Sequence, residues 1–210
     1  MFLKRISLGL TALALTLSCT VAFAQAKADK APDALIKEVS TDVLEALKAD
    51  KSIKQGDVQK IIALVDAKVM PYVNFQRMTA SATGRYWRQA TPEQQKRLQE
   101  EFKILLVRTY SGALAQVQDQ TVELKPTRNA PAGKEVVVKT EIRGHGDPVQ
   151  LDYRLEQQPD GWKIYDVNVL GVWLVENYRN SFSQEIAAGG IDGLISKLAA
   201  RNKSAGGTKS

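Results

Sequence analysis

Between residues 121 and 170 the apolar positions recur every second residue, and on either side of that stretch they recur every third or fourth. A period of two is the mark of a strand with one face buried, so a block of sheet lies between two blocks of helix. Four runs carry it: TVELKP (121–126), EVVVKTEI (135–142), VQLDYRLEQ (149–157) and WKIYDVNVL (162–170). The third is the cleanest, with Val149, Leu151, Tyr153 and Leu155 alternating with Gln150, Asp152, Arg154 and Glu156. Strict alternation in the fourth puts Trp162, Ile164, Asp166, Asn168 and Leu170 on one face and Lys163, Tyr165, Val167 and Val169 on the other. The links NAPAGK, GHGDP and PDG are short and rich in turn residues, which predicts antiparallel hairpins. A four-stranded, or slightly larger, antiparallel meander follows.

The flanking blocks read as helices. Leu35, Val39, Val43 and Leu47 are four apart, and Asp57 stands as an N-cap before Val58, Ile61, Ile62, Val65 and Val69. Pro71 ends that helix. Residues 70–87 are rich in large apolar groups without a clean period and predict a short helix and an irregular segment. The clearest helix begins at Thr91, with Pro92 at the first helical position and Gln94 completing a capping box. Its second half, from Ile104 to Val117, is apolar nearly all round and must be covered on every side, by a sheet and helices or as the wall of a cavity. After Gly171, Leu174, Tyr178, Phe182 and Ile186 form another helical stripe; Gly189 and Gly190 break it, and Asp192 caps its restart. The order of helices, meander and helices predicts an α+β domain with helices packed on one face of the sheet.

The chain opens with Lys4 and Arg5, an apolar run from Ile6 to Leu17, and small residues at Ala22 and Ala24. That is the order of a secretory signal, residues 1–24, cleaved after Ala24. A flexible leader (25–31), one domain (32–201) and a disordered tail (202–210) follow. The cut removes Cys19, the sole cysteine, and leaves no thiol chemistry. A rival reading acylates Cys19; Ser18 suits it, and Thr16, where a leucine is usual, does not. Loss of Lys4 and Arg5 takes the formal charge from +6 to +4, too mild for a nucleic-acid binder.

Catalytic constellations are hard to assemble from this chain. The single histidine, His145, lies between two glycines in a turn, a poor place to hold an imidazole for general base work. One histidine and no mature cysteine argue against a zinc site. Asp166 could serve as a general base, but is read as a residue that caps a neighbouring backbone or pairs with an arginine. Arg85, Arg88, Lys96 and Arg97 cluster where a loop enters the long helix, as a solvated face or as a docking site for an acidic partner.

Large apolar side chains are the surplus. Composition alone leaves a packed core and a lined cavity both open. The segments MPYVNFQRM…GRYWRQATPEQ, YDVNVLGVWLVENYR and GIDGL, in that order over the whole mature chain, resemble the MlaC family, also called the toluene-tolerance auxiliary family. Trp173 departs from the pattern, since a small residue usually follows "GV" there, and this bears on the local shape of a cavity. The resemblance implies a cone related to the cystatin-like and nuclear-transport-factor-like folds. It implies a monomeric periplasmic carrier with no cofactor and no catalysis, whose cargo is a phospholipid held by its acyl chains. Its partners would be an outer-membrane lipoprotein–porin complex and the MCE-domain subunit of an inner-membrane ABC transporter. On that reading the acyl contacts are Val69, Tyr72, Val73, Phe75 and Met78; Phe102, Leu105, Leu106 and Tyr110 of the long helix; Val138, Leu151, Tyr153, Tyr165, Val167 and Val169 of the strands; and Val172 and Leu174 beyond the glycine. Two other classes remain: a lipid-acting hydrolase, and an interaction module with a dry core.

Overall fold

A computed structural model describes residues 30–126 and 133–204. The expected signal sequence and most of the expected leader fall outside them. Helices α1 (Pro32–Ala49), α2 (Lys51–Lys54), α3 (Val58–Lys68), α4 (Phe75–Thr83) and α5 (Pro92–Ala115) precede strands β1 (Thr121–Leu124), β2 (Glu135–Arg143), β3 (Val149–Gln158), β4 (Gly161–Val169) and β5 (Val172–Trp173). Helix α6 (Leu174–Ser204) closes the chain. The strands pair in sequence order, all antiparallel, as a five-stranded meander. The fold is α+β, with one short strand added to the four expected.

The helix ends are set by local chemistry. Asp57 accepts from Gln59 N and Lys60 N, and Thr91 and Gln94 form the reciprocal capping box. Asp50 caps the unexpected α2 by accepting from Ser52 N and Ile53 N. Gly190, at φ 69° and ψ −174°, breaks α6 where the paired glycines foretold it. Asp192 then accepts from Gln94 Nε2 at 3.0 Å and ties the second half of α6 to the start of α5. The helix continues to Ser204, past the expected start of the tail. Asn202 is buried there, with its amide donating to Glu101 O at 2.9 Å.

One irregularity in the sheet decides which side chains meet. Leu155 pairs with Ile164, but Arg154 pairs with Asp166, so Tyr165 is an extra residue in β4. This bulge reverses the parity of the strand. Ile164, Val167 and Val169 therefore lie opposite Leu155, Tyr153 and Leu151 on one face. Strict alternation from Trp162 would have placed Ile164 with Asp166. Beyond Val169, Leu170 and Gly171 make a two-residue turn into β5, with φ of 52° and 89°. Positive φ at both positions belongs to the type I′ hairpin, whose favoured pair is Asn-Gly. A leucine there costs about 1–2 kcal/mol. The turn is held by Leu170 N donating to Gln150 O (3.1 Å) and Gly171 N to the buried Asn168 Oδ1 (2.8 Å).

Three buried clusters hold the elements together. Phe102 of α5 centres the largest, with ring centroids 5.7 Å from Phe75, 5.1 Å from Tyr178 and 5.0 Å from Phe182. Leu35, Ile36 and Val39 of α1 pack on Val136, Val138, Leu155 and Ile164 in the second. Leu44 and Leu47 meet Ile53, Ile61, Val107 and Val117 in the third.

Candidate functional site

The clusters do not meet in the middle. Between α1, α3, α5 and the Leu151–Tyr153–Val167–Val169 face of the sheet lies a cavity of about 840 Å³. Its wall is mostly aliphatic: Ile36, Val39, Val43, Leu44 and Leu47 from α1, Leu64 and Val65 from α3, and Leu106, Val107, Tyr110 and Leu114 from α5. Ile36, Leu47, Ile164 and Leu174 of the wall are buried. Towards one end the lining turns polar and exposed, with Gln116, Gln118, Asp119, His145 and Asp147. The mouth therefore lies where the end of α5 meets the β2–β3 loop. Lys48 Nζ donates to Gln120 O across 2.8 Å beside it.

Tyr153 projects into this space from β3. It is half-buried, yet the surface it leaves open faces the cavity and not bulk water. Burial pushes its phenol above the usual range, and hydrogen bonds with Ser40 and Thr140 oppose that push. Tyr110, facing it from α5, is raised by burial and by Tyr178.

The residues expected to meet acyl chains divide sharply. Val69, Leu106, Tyr110, Leu151, Tyr153, Val167, Val169 and Leu174 line the cavity. Phe75, Met78, Phe102 and Leu105 fill the solid cluster around Phe102. Tyr72, Val73 and Val138 belong to the cluster between α1 and the sheet, and Val172 is 50% exposed. Tyr165 is displaced by the bulge. Its hydroxyl donates to Glu135 Oε2 at 3.0 Å, and the Arg77 guanidinium lies 3.6 Å over its ring. Trp173 also stands away from the cavity, with Arg154 stacked 3.8 Å over its ring, so the departure from the family pattern leaves the wall untouched. Missing from the expected set were the α1 residues and Leu64 and Val65. Their four-residue spacing showed a buried face, but nothing in it distinguishes packing against atoms from packing around a void.

Replacing Tyr165 with alanine should therefore leave any cargo in place and cost about 1 kcal/mol through the lost cation–π contact and hydrogen bond. A thermal melt beside a mass measurement of bound lipid checks this, and an emptied protein would return Tyr165 to the wall.

The polar groups are arranged for structure. Asp166 Oδ1 accepts from Val167 N (2.9 Å) and Val175 N (3.1 Å), and Oδ2 from Arg154 (3.0 Å). Burial pushes its carboxyl above the usual range against these three partners. Both roles expected for it, cap and arginine partner, are filled. His145 Nδ1 meets Asp119 Oδ2 at 2.5 Å with the imidazole 93% exposed, a surface pair on the cavity rim. Among the described residues no group of three or more His, Cys, Asp or Glu is placed to hold a metal, and no helix is long and apolar enough to cross a membrane. Of the basic cluster, Arg85, Arg88, Lys96 and Arg97 are all exposed, with Lys96 within 4.0 Å of Glu100 and Arg97 within 3.8 Å of Glu101. They stand at the start of α5, and its 24 residues place them about 30 Å from the mouth.

Comparison with known proteins gives the cavity a context. The family model described as MlaC protein matches residues 37–200. The toluene tolerance protein ttg2D of Pseudomonas putida is 29% identical over 167 residues, 79% of this chain and 77% of that one. The intermembrane phospholipid transport system binding protein MlaC of Haemophilus influenzae is 22% identical over 192 residues, 90% of each chain. Among solved structures, a phospholipid-binding protein from Ralstonia solanacearum, in complex with a phospholipid, superposes with a TM-score of 0.80 at 47% identity, over 83% of this chain and 98% of that one. With a family match that spans most of its length and a solved relative sharing nearly half its residues, the chain belongs to the MlaC family.

Proposed function

We propose that this chain is a periplasmic carrier that holds a phospholipid by its acyl chains in the cavity. On this reading it works as a monomer, shuttling lipid between an outer-membrane lipoprotein–porin complex and the MCE-domain subunit of an inner-membrane ABC transporter, and so maintains outer-membrane lipid asymmetry. The observation that carries the reading is the size and chemistry of the cavity, about 840 Å³ with an aliphatic wall. The cavity opens to solvent at its mouth and is no sealed void, but water against an aliphatic wall of this extent is favourably displaced by an apolar guest. Its volume is in the ~300–1,000 Å³ range of ligand sites. The phospholipid in the Ralstonia relative supports the same reading.

Two acyl tails of roughly 30 methylenes gain about 24 kcal/mol on leaving water. Release into water is therefore prohibitive, but the tails come from a bilayer where they are already dry. Cavity and membrane then exchange lipid near balance, and a partner at either membrane sets the direction. The basic group of Arg85, Arg88, Lys96 and Arg97 is the proposed contact for an acidic partner, at the end of α5 away from the mouth.

Lipid extraction and mass spectrometry of the purified chain should find diacyl phospholipid near one per molecule. The same sample should not hydrolyse phospholipid, and His145→Ala should leave transfer intact. A folded chain that holds no lipid as purified and takes none up from phospholipid vesicles removes the carrier reading. Hydrolysis that disappears with His145→Ala replaces it with an enzyme.

A further inference from the structure

Three large aliphatic side chains are exposed among the described residues: Val149 (37%), Leu170 (65%) and Val172 (50%). They come from two stretches of sequence, the start of β3 and the β4–β5 turn, and gather at one end of the sheet. Leu170 N bonds to Gln150 O, next to Val149, and Val172 pairs with Val169. That end is the mouth, for Val149 and Val169 both line the cavity. The exposure of Leu170 is also not incidental. It occupies the turn position where Asn is favoured, at φ 52°, held by its own N–H on Gln150 O and by Gly171 N–H on the buried Asn168 Oδ1. A polar residue would satisfy this turn with less strain, and the leucine points to a role outside the fold.

We propose that Val149, Leu170 and Val172 form an apolar lip that rests on a phospholipid bilayer, so that an acyl chain slides between bilayer and cavity without crossing water. The inference rests on the carrier reading and adds to it the surface at which loading takes place. The lip continues the apolar lining outward, and a bilayer offers both the matching apolar phase and the cargo. The ionic groups at the rim select the kind of bilayer. The charged residues lining the mouth are Asp119 and Asp147, with His145 paired to Asp119. Nearby Arg143 is engaged by Glu123 and Glu141. With carboxylates lining the rim, Arg143 engaged and Lys48 turned to Gln120 O, the mouth suits zwitterionic lipid over anionic lipid. Three aliphatic groups without an exposed aromatic give a brief contact, as a carrier that must leave again requires.

The test uses the full chain loaded with pyrene-labelled phosphatidylcholine and mixed with unlabelled phosphatidylcholine vesicles. Transfer by contact rises in proportion to vesicle concentration, whereas escape through water does not depend on it. The parent should show the proportional rate. A Leu170→Asn, Val172→Thr variant should transfer about tenfold more slowly with an unchanged lipid load. Its melt should be equal or higher, because Asn suits the turn. A parent rate independent of vesicle concentration overturns the proposal. So does a variant as fast as the parent, which would leave the lip to a protein partner. A parent that takes up no label, and carries no lipid as purified, defeats the carrier reading itself and is recognised before any transfer is measured.

Discussion

Val167→Glu should give a folded protein that carries no phospholipid. Val167 lies on the cavity face of β4, opposite Tyr153 and past the bulge. It is half-buried, touching the clusters behind it while one side faces the space. A glutamate there puts a carboxylate against acyl chains, and burying it costs several kcal/mol unless it is protonated or reaches water. With lipid gone, water enters from the mouth and hydrates the charge, so the fold survives. The bound lipid should fall from about one per chain to near none, a loss of a hundredfold or more in affinity. A melt and a lipid measurement on the same preparation decide the matter. An unfolded variant would mean a dry core at this position, and a fully loaded one would mean that the tails lie elsewhere.

Asp166→Ala should do the opposite, leaving the cavity's wall intact and weakening the frame. The carboxylate joins β4, β3 and the start of α6 through Val167 N, Arg154 and Val175 N, and its side chain is 1% exposed. Its removal strands the Val175 N–H at the head of a helix and leaves Arg154 with the exposed Glu176 at 3.4 Å and its stack on Trp173. Breaking a buried pair of this kind costs about 3 kcal/mol, or about 10 °C in the melt for a domain of this size. The effect should appear in stability and not in lipid affinity. A variant as stable as the parent would show that the three hydrogen bonds contribute nothing net.

Much of the architecture was legible because it is written locally. Asp57, the Thr91–Gln94 box, the period-two runs and the glycine pair at 189–190 act over a few residues, and each did in the fold what its chemistry dictates. The site was legible only in part. Strand parity identified Leu151 and Tyr153 because β3 is regular, and it identified Val167 and Val169 but misplaced Tyr165 and Ile164, because an extra residue in β4 leaves no mark in composition. Phe102 and Leu106 illustrate the other limit. They sit four apart on one helix, yet one fills the aromatic cluster and the other faces the cavity. Whether an apolar side chain meets atoms or space depends on neighbours far away in the chain, and the helical period carries no such information.

The three buried clusters have a consequence for how the molecule lives between loads. The cluster around Phe102 joins α4, α5 and α6 and contains none of the α1 or α3 residues that wall the cavity. Leu106 and Val167, which pack against it, also line the cavity, so cluster and cavity share only that edge. Helices α1 and α3, by contrast, pack partly against cavity space, and on the carrier reading part of their anchoring would come and go with the tails. On that reading an unloaded molecule would keep its aromatic keel and loosen along one flank, so that emptiness would be a local change of shape and not a loss of the fold.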